Sequence, residues 1–247
     1  MRSLILLLLS SVPAWAESVL EAYPPPAGSS TTAPNAYGAW LQQLELLEEN
    51  APILTHDGRE VYHNGRPIQL DMVRGDLQQC ADSAIRLRAE WLRATQASVD
   101  ELMFHATSGD PLPWSRFLEG ERPYVENNRI QWRSGASKNP SWNAWLRAVF
   151  TWAGTRSLAA YETQPVETPT PGDMLVEPGS PGHAVVILNV ATRGEQTFLL
   201  LGEGYMPAQQ FHVEHGPHNG WWEWTSAGLR LPAFFMPRDS LRRWNTD

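Results

Sequence analysis

The sequence predicts an α+β fold in which a helix bearing the single cysteine packs on an antiparallel sheet. Three observations carry this. Asp76-Leu77-Gln78-Gln79 reads as an acidic cap with Gln three residues on, and Leu77, Cys80, Ala84, Leu87 and Trp91 then recur at helical spacing to about Ala94. Ala184-Val185-Val186-Ile187-Leu188 is apolar at every position, which places this strand in the interior of the sheet, and His183 opens it. A short loop containing Arg193-Gly194 separates it from Thr197–Glu203, so the two are expected to pair as an antiparallel hairpin.

At the N-terminus, Arg2 precedes an apolar run from Leu4 to Ala14, and Ala14-Trp15-Ala16 then sets small residues around a bulky one before Glu17. This is the pattern of a cleavable signal peptide over residues 1–16, with export to the periplasm or beyond as the expectation. The run is too short to span a bilayer, no cysteine follows it to carry a lipid anchor, and no later segment suggests a transmembrane helix. Residues 17–34 include Pro24-Pro25-Pro26-Ala27-Gly28-Ser29-Ser30 and are expected to form a flexible leader. No repeat or boundary divides the rest, so 35–247 is expected to be a single α+β domain.

Asn35 is expected to cap a helix running to about Glu49, with Trp40, Leu41, Leu44 and Leu47 on one side. Asn64-Gly65 suits a type I′ turn and predicts a hairpin of Arg59–His63 with Arg66–Met72. After the Cys80 helix come a strand around Leu102–Thr107, a short helix near Trp114–Leu118 and a strand near Arg129–Arg133. Ser141 then caps a helix containing Trp145, Ala148, Val149 and Trp152. Pro165, Pro169 and Pro171 make 162–172 an extended connector, which leads into strands at Asp173–Glu177, His183–Val190 and Thr197–Glu203. The tail, Gly220 to Trp244, is densely aromatic, and most of the chain's 12 Trp residues are expected in the core, with a few at most lining a groove.

The formal net charge of −8 and the lack of a Lys/Arg cluster argue against a nucleic-acid partner. A single cysteine excludes an intramolecular disulfide, so the fold stands on its core alone. A lone thiol in an oxidising compartment then calls for a reason.

Cysteine chemistry supplies one. In the first turn of a helix, Cys80 feels the positive end of the macrodipole and unpaired backbone N–H groups, which favour a thiolate and can stabilise an oxyanion. The same position also suits a small packing residue on a buried stripe. His183, following Pro181-Gly182 at the mouth of its strand, is the candidate general base.

Gly172-Asp173-Met174-Leu175-Val176 followed by Gly182-His183-Ala184-Val185-Val186-Ile187 resembles the core of NlpC-type papain-like cysteine peptidases. That branch has a Gly-Asp-apolar strand, then a Gly-His strand, after a helix with Cys at its N-terminal end. The resemblance implies a papain-like fold and a Cys80–His183 pair acting on amide bonds, peptidoglycan among them. The chain departs from it at the nucleophile, where Gln79-Cys80-Ala81-Asp82 stands in place of Asp-Cys-Ser-Gly, and in the long separation of Cys80 from His183. Asp76–Trp91, Ala153–Leu158, Pro181–Ile187 and Tyr205–Gln209 together resemble an uncharacterised family of secreted bacterial proteins known only as a domain of unknown function, which implies export and no particular activity.

A third group should orient the imidazole. Glu203 is one candidate. A hairpin centred on Arg193 would set it opposite His183, whereas a one-residue slip would put the two on opposite faces. Gln209 is the other, and Tyr205 and Gly182 are further candidates for binding or orienting the substrate. His212, His215 and His218 form H-x-x-H-x-x-H in a non-helical segment and are not expected to bind metal. No cofactor is expected. The main expectation is an exported hydrolase acting on an amide or ester, with a cell-wall peptide or glycan as partner. The alternative is a non-catalytic envelope protein that stacks sugars on an exposed Trp surface.

Overall fold

The structure is a computed structural model that describes residues 17–61 and 64–246. The expected signal peptide, residues 1–16, lies outside the described residues, as do Tyr62 and His63. The α-helices are α1 (Val19–Ala22), α2 (Ala36–Gln42), α3 (Cys80–Ala94), α4 (Trp114–Leu118), α5 (Trp142–Trp152) and α6 (Thr155–Ser157). The earlier strands are β1 (Ser30–Thr31), β2 (Ile53–Leu54), β3 (Glu60–Val61), β4 (Gly65–Pro67), β5 (Met103–His105), β6 (Pro111–Pro113), β7 (Arg122–Glu126) and β8 (Arg129–Arg133). The later ones are β9 (Thr163–Pro165), β10 (Met174–Glu177), β11 (His183–Arg193), β12 (Gln196–Glu203), β13 (His212–Glu214), β14 (Trp222–Trp224), β15 (Gly228–Arg230), β16 (Phe235–Pro237) and β17 (Leu241–Trp244).

The central sheet has the order β4-β13-β12-β11-β10-β17-β9, with neighbours antiparallel. β11 therefore lies inside the sheet, flanked by β10 and β12. Its composition follows from what covers it. On one face Ala184, Val186 and Leu188 join the core made by Tyr37 and Leu41 of α2, Ile85 and Leu87 of α3, and Trp145 of α5. On the other, Val185, Ile187 and Val190 pack with Leu229 of β15, Met236 of β16 and Leu231 in the turn between them. With both faces covered here, alternation has no physical cause, and the run from Ala184 to Leu188 is apolar at every position. Asp173, just before β10, is buried and accepts from Arg243 Nε on β17 at 2.7 Å, so the Gly-Asp pair ties the sheet together here.

Several expectations need correction. Asn64-Gly65 does not turn β3 back onto β4. β3 pairs with β2 around the Asp57-Gly58 turn, while β4 pairs with β13, far away in sequence. A Cβ on Gly65 would lie 2.6 Å from His212 Cδ2, so close packing on β13 is the reason for glycine at this position. Residues 17–34 differ from the expected leader: Ser18 caps α1, Val19 and Tyr23 are buried, and β1 adds to β11. Their Pro-rich run turns at Ala27-Gly28 and accepts a bond from Trp221 Nε1 at Pro24 O, 3.0 Å. The helix capped by Asn35 ends at Gln42 rather than near Glu49, because Glu45 and Leu46 form bridges to Ser18 and Ile68.

Trp145, Trp221, Trp224 and Trp244 are buried, and the other described tryptophans are half-buried against the cores or the residues around them. Among the described residues no Trp is exposed. Nor is any described helix long and apolar enough to cross a membrane.

Candidate active site

The N-terminus of α3 meets the sheet at the end where β11 begins. Gln79 is the N-cap in extended conformation, and its N–H donates to Asp82 Oδ2 at 3.1 Å. Cys80 is thus the first helical residue, half-buried, with its thiol free of any disulfide. Asp76, read from the sequence as the cap, does something else. Its Oδ1 accepts from Ala208 N at 2.7 Å and Gln79 Nε2 at 3.2 Å, tying the helix entry to the chain beyond β12. The Ala208 N–H, more than any other partner, holds this carboxyl below its usual range.

His183 is 2 % exposed and sits between two partners. Its Nε2 and Glu203 Oε2 are 2.7 Å apart, and Cys80 lines the same cleft, near enough to raise the imidazole pKa. Since Nε2 is taken by the carboxylate, Nδ1 is the nitrogen left for the thiol. Burial alone would lower the imidazole pKa. Cys80 and the hydrogen bond to Glu203, with the Glu203 charge, outweigh it and raise the value to about 9. Phe234 stacks on the ring at 4.5 Å between centroids, and Tyr205 meets it edge-on at 5.5 Å. The ring is held by packing on its face as well as by bonds at its nitrogens.

The register that brings Glu203 to His183 depends on one residue. From Arg193↔Gln196 the hairpin runs regularly to Asn189↔Leu200, then resumes as Ile187↔Leu201 and Val186↔Gly202. Leu188 is the extra residue of a β-bulge. Without it, the register set at the turn would place Glu203 opposite Val186, and His183 would point to the other face. With it, Glu203 falls opposite Val185, on the His183 face and one diagonal step away.

Cys80 and His183 open onto a cleft of about 890 Å³. Leu77, Gln79, Phe150, Gly182, Tyr205, Met206 and Phe234 also line it, together with Asp76 and Asp82, and no Arg or Lys among the described residues does. Met206 is 59 % exposed at its rim. Gly182 is there for space: a Cβ would lie 2.3 Å from Thr155 Oγ1 and 2.7 Å from Glu177 O. Burial pushes Asp82 up to about 8, opposed by the Gln79 N–H it accepts, while burial also raises the Tyr205 phenol.

Gln209, the other candidate orienter, does not line this cleft. It is buried and bridges through its backbone to Thr55. The H-x-x-H-x-x-H histidines diverge. His212 faces Glu203 across β12 and β13, His215 Nε2 lies 2.7 Å from Tyr23 OH, and His218 packs edge-on to Phe198. The sequence reading missed Phe234, Asp82 and the His212–Glu214 pair. For the last a signal existed: His212-x-Glu214 has the two-residue spacing that puts both side chains on one face of a strand.

The chain belongs to the family described as Domain of unknown function (4846), whose model matches residues 19–243. No curated protein and no solved structure matches it.

Proposed function

We propose that this protein is a cysteine hydrolase, in which Cys80 is the nucleophile, His183 the general base and acid, and Glu203 the residue that orients the imidazole. The single observation that carries the reading is the buried His183 ring, held by Glu203 at 2.7 Å and lining one cleft with Cys80 at the start of α3. A purely structural thiol has no need of a charged imidazole and a carboxylate behind it. The positive end of α3 and the adjacent imidazolium both stabilise negative charge on the sulfur.

In the reaction His183 already holds the proton given up by Cys80, and the sulfur attacks the substrate carbonyl. The carbonyl oxygen, now negative, is stabilised by N–H groups of the first turn of α3, which have no intrahelical acceptor. Collapse breaks the bond to the leaving amine or alcohol, which takes the proton from His183. Water, deprotonated by the same histidine, then attacks the thioester and releases the acid and the free thiol.

The cleft narrows the substrate. Its apolar wall and the lack of a lining Arg or Lys suit an acyl group without a carboxylate beside the scissile bond. The chain order of a helix-borne cysteine, a Gly-Asp strand and a Gly-His strand supports an NlpC-like, papain-type reading of this α+β fold. The N-terminal signal pattern supports action outside the cytoplasm, where cell-wall peptides are the abundant amides. Because the described tryptophans lie in or against the cores, no observation favours the glycan-stacking alternative.

The test is a panel of neutral p-nitrophenyl esters and peptide anilides with wild type, Cys80→Ala and His183→Ala. Turnover that vanishes in both variants, with a mass increase of one acyl group trapped on Cys80, is expected. Turnover by Cys80→Ala equal to wild type would end the hydrolase reading.

A further inference from the structure

We propose that His212 is a positioning residue of this site, clamping the Glu203 carboxylate from the side away from His183; the inference rests on the hydrolase reading above.

The geometry begins with register. Glu177↔His183 and Glu203↔His212 are direct cross-strand pairs, and His183 reaches Glu203 on the diagonal. Acid and imidazole therefore alternate across β10, β11, β12 and β13 on one face of the sheet. Glu214, two residues beyond His212, extends the row along β13. Glu203, His212 and Glu214 each offer a ligand atom within 4.8 Å of the other two, and the three residues are at most 5 % exposed.

The tautomer of His212 follows from its other nitrogen. Nδ1 lies 3.0 Å from Gln210 O, a carbonyl that can only accept, so Nδ1 carries a proton. Nε2 then faces the carboxylates, 3.6 Å from Glu214 Oε2. Nε2 and the two carboxylates thus face one another in one buried cluster, which sets His212 against the second flank of Glu203. Gly65 belongs to the arrangement, since any side chain on β4 at that point would press on His212 Cδ2. Clamped on both sides, the Glu203 carboxylate keeps the orientation that fixes the His183 ring, and through it the proton path to Cys80.

The test reads Cys80 directly. Alkylation by iodoacetamide is followed from about pH 5 to 10 in the wild-type chain, His212→Leu and His212→Gln, alongside kcat and KM on whichever ester wild type hydrolyses. The groups around the imidazole that this profile reports are Cys80 on α3, Glu177 on β10, Glu203 and Tyr205 at the end of β12, and Glu214 on β13. His212→Leu should slow alkylation at neutral pH about tenfold and displace the profile, with kcat falling more than KM changes. His212→Gln keeps a donor towards Glu203 and should restore the rate to within about twofold of wild type. If the leucine variant does not fold, His212→Asn, whose shorter side chain withdraws the donor, takes its place with the same expectation. A profile unchanged in a folded leucine or asparagine variant overturns the clamp. So does a wild-type profile that shifts on dialysis against EDTA, because a divalent cation would then balance the carboxylates. A wild-type chain that hydrolyses nothing but shows the displaced profile in the variants would sink the hydrolase reading and leave the clamp standing.

Discussion

His183 and Glu203 share a face of the sheet because β11 carries one residue, Leu188, that has no counterpart on β12. The bulge converts a register that would separate the two side chains into one that joins them at 2.7 Å. A buried charged pair of this kind adds little net stability, yet removing one member leaves the other without a partner.

Glu203→Ala should therefore destabilise the protein by about 3–5 kcal/mol, and Glu203→Gln, which still accepts from the imidazole, by less. Urea unfolding at neutral pH measures both. A loss under about 1 kcal/mol in the alanine variant would mean that His183 is neutral in the folded chain.

Stability should fall as pH rises from about 4 to 9, in two overlapping windows. The Asp82 pKa is raised to about 8 in the folded chain, so its contribution is complete below the unfolded value near 3.9 and is lost as pH climbs through 8. The His183 pKa is raised to about 9 from an ordinary value near 6.5, so its contribution is complete below 6.5 and is lost through 9. The histidine contribution is on the order of 3 kcal/mol. Asp82→Asn should remove the lower window and leave the upper one. Urea midpoints for the two chains at matched pH values check this, and equal slopes between pH 4 and 6 would contradict the assignment to Asp82.

Cys80→Ser should abolish turnover while changing stability by less than about 1 kcal/mol, because the site is half-buried and the hydroxyl is close in size to the thiol. Thermal melts beside the ester assay separate the two effects. A large fall in melting temperature would point to packing as the thiol's main role.

Gly182→Ala should cost both stability and activity. The added methyl meets Thr155 Oγ1, Glu177 O and Gly179 N, and two of these are backbone atoms that cannot rotate away. Adding Thr155→Ala relieves only the first contact, so the double variant should recover little. Full recovery would show that the loop before β11 is pliant.

A chain beginning at residue 35 should be less stable than one beginning at residue 17 by at least about 3 kcal/mol. It loses the burial of Val19 and Tyr23, each worth ~1.5–3 kcal/mol, and the pairing of β1 with β11. Equal denaturation midpoints would show that the segment is a dispensable wrapping.

What the sequence determined by itself was local. Asn35 and Ser141 open helices because a short polar side chain accepts from the N–H three residues on, and both do so in the structure. α4 and β8 lie where propensity and pattern placed them. The unbroken apolar run of β11 demanded cover on both faces and received it. The same logic failed at Asn64-Gly65, since a turn dipeptide and a glycine that makes room for a distant imidazole look alike in one dimension. It failed over 17–34, where proline-rich backbone is as fit for docking as for a leader. For the site, Cys80 and His183 were legible as residues, one by its helix terminus and the other by its strand. Their pairing was legible only through the family resemblance, and the choice between Glu203 and Gln209 stayed open. A β-strand has a period of two, so one bulged residue inverts every side chain beyond it, and nothing in the local run from Ala184 to Leu200 announces where the bulge will fall. Only the packing of both sheet faces at once decides that, and with it which acid stands beside which base.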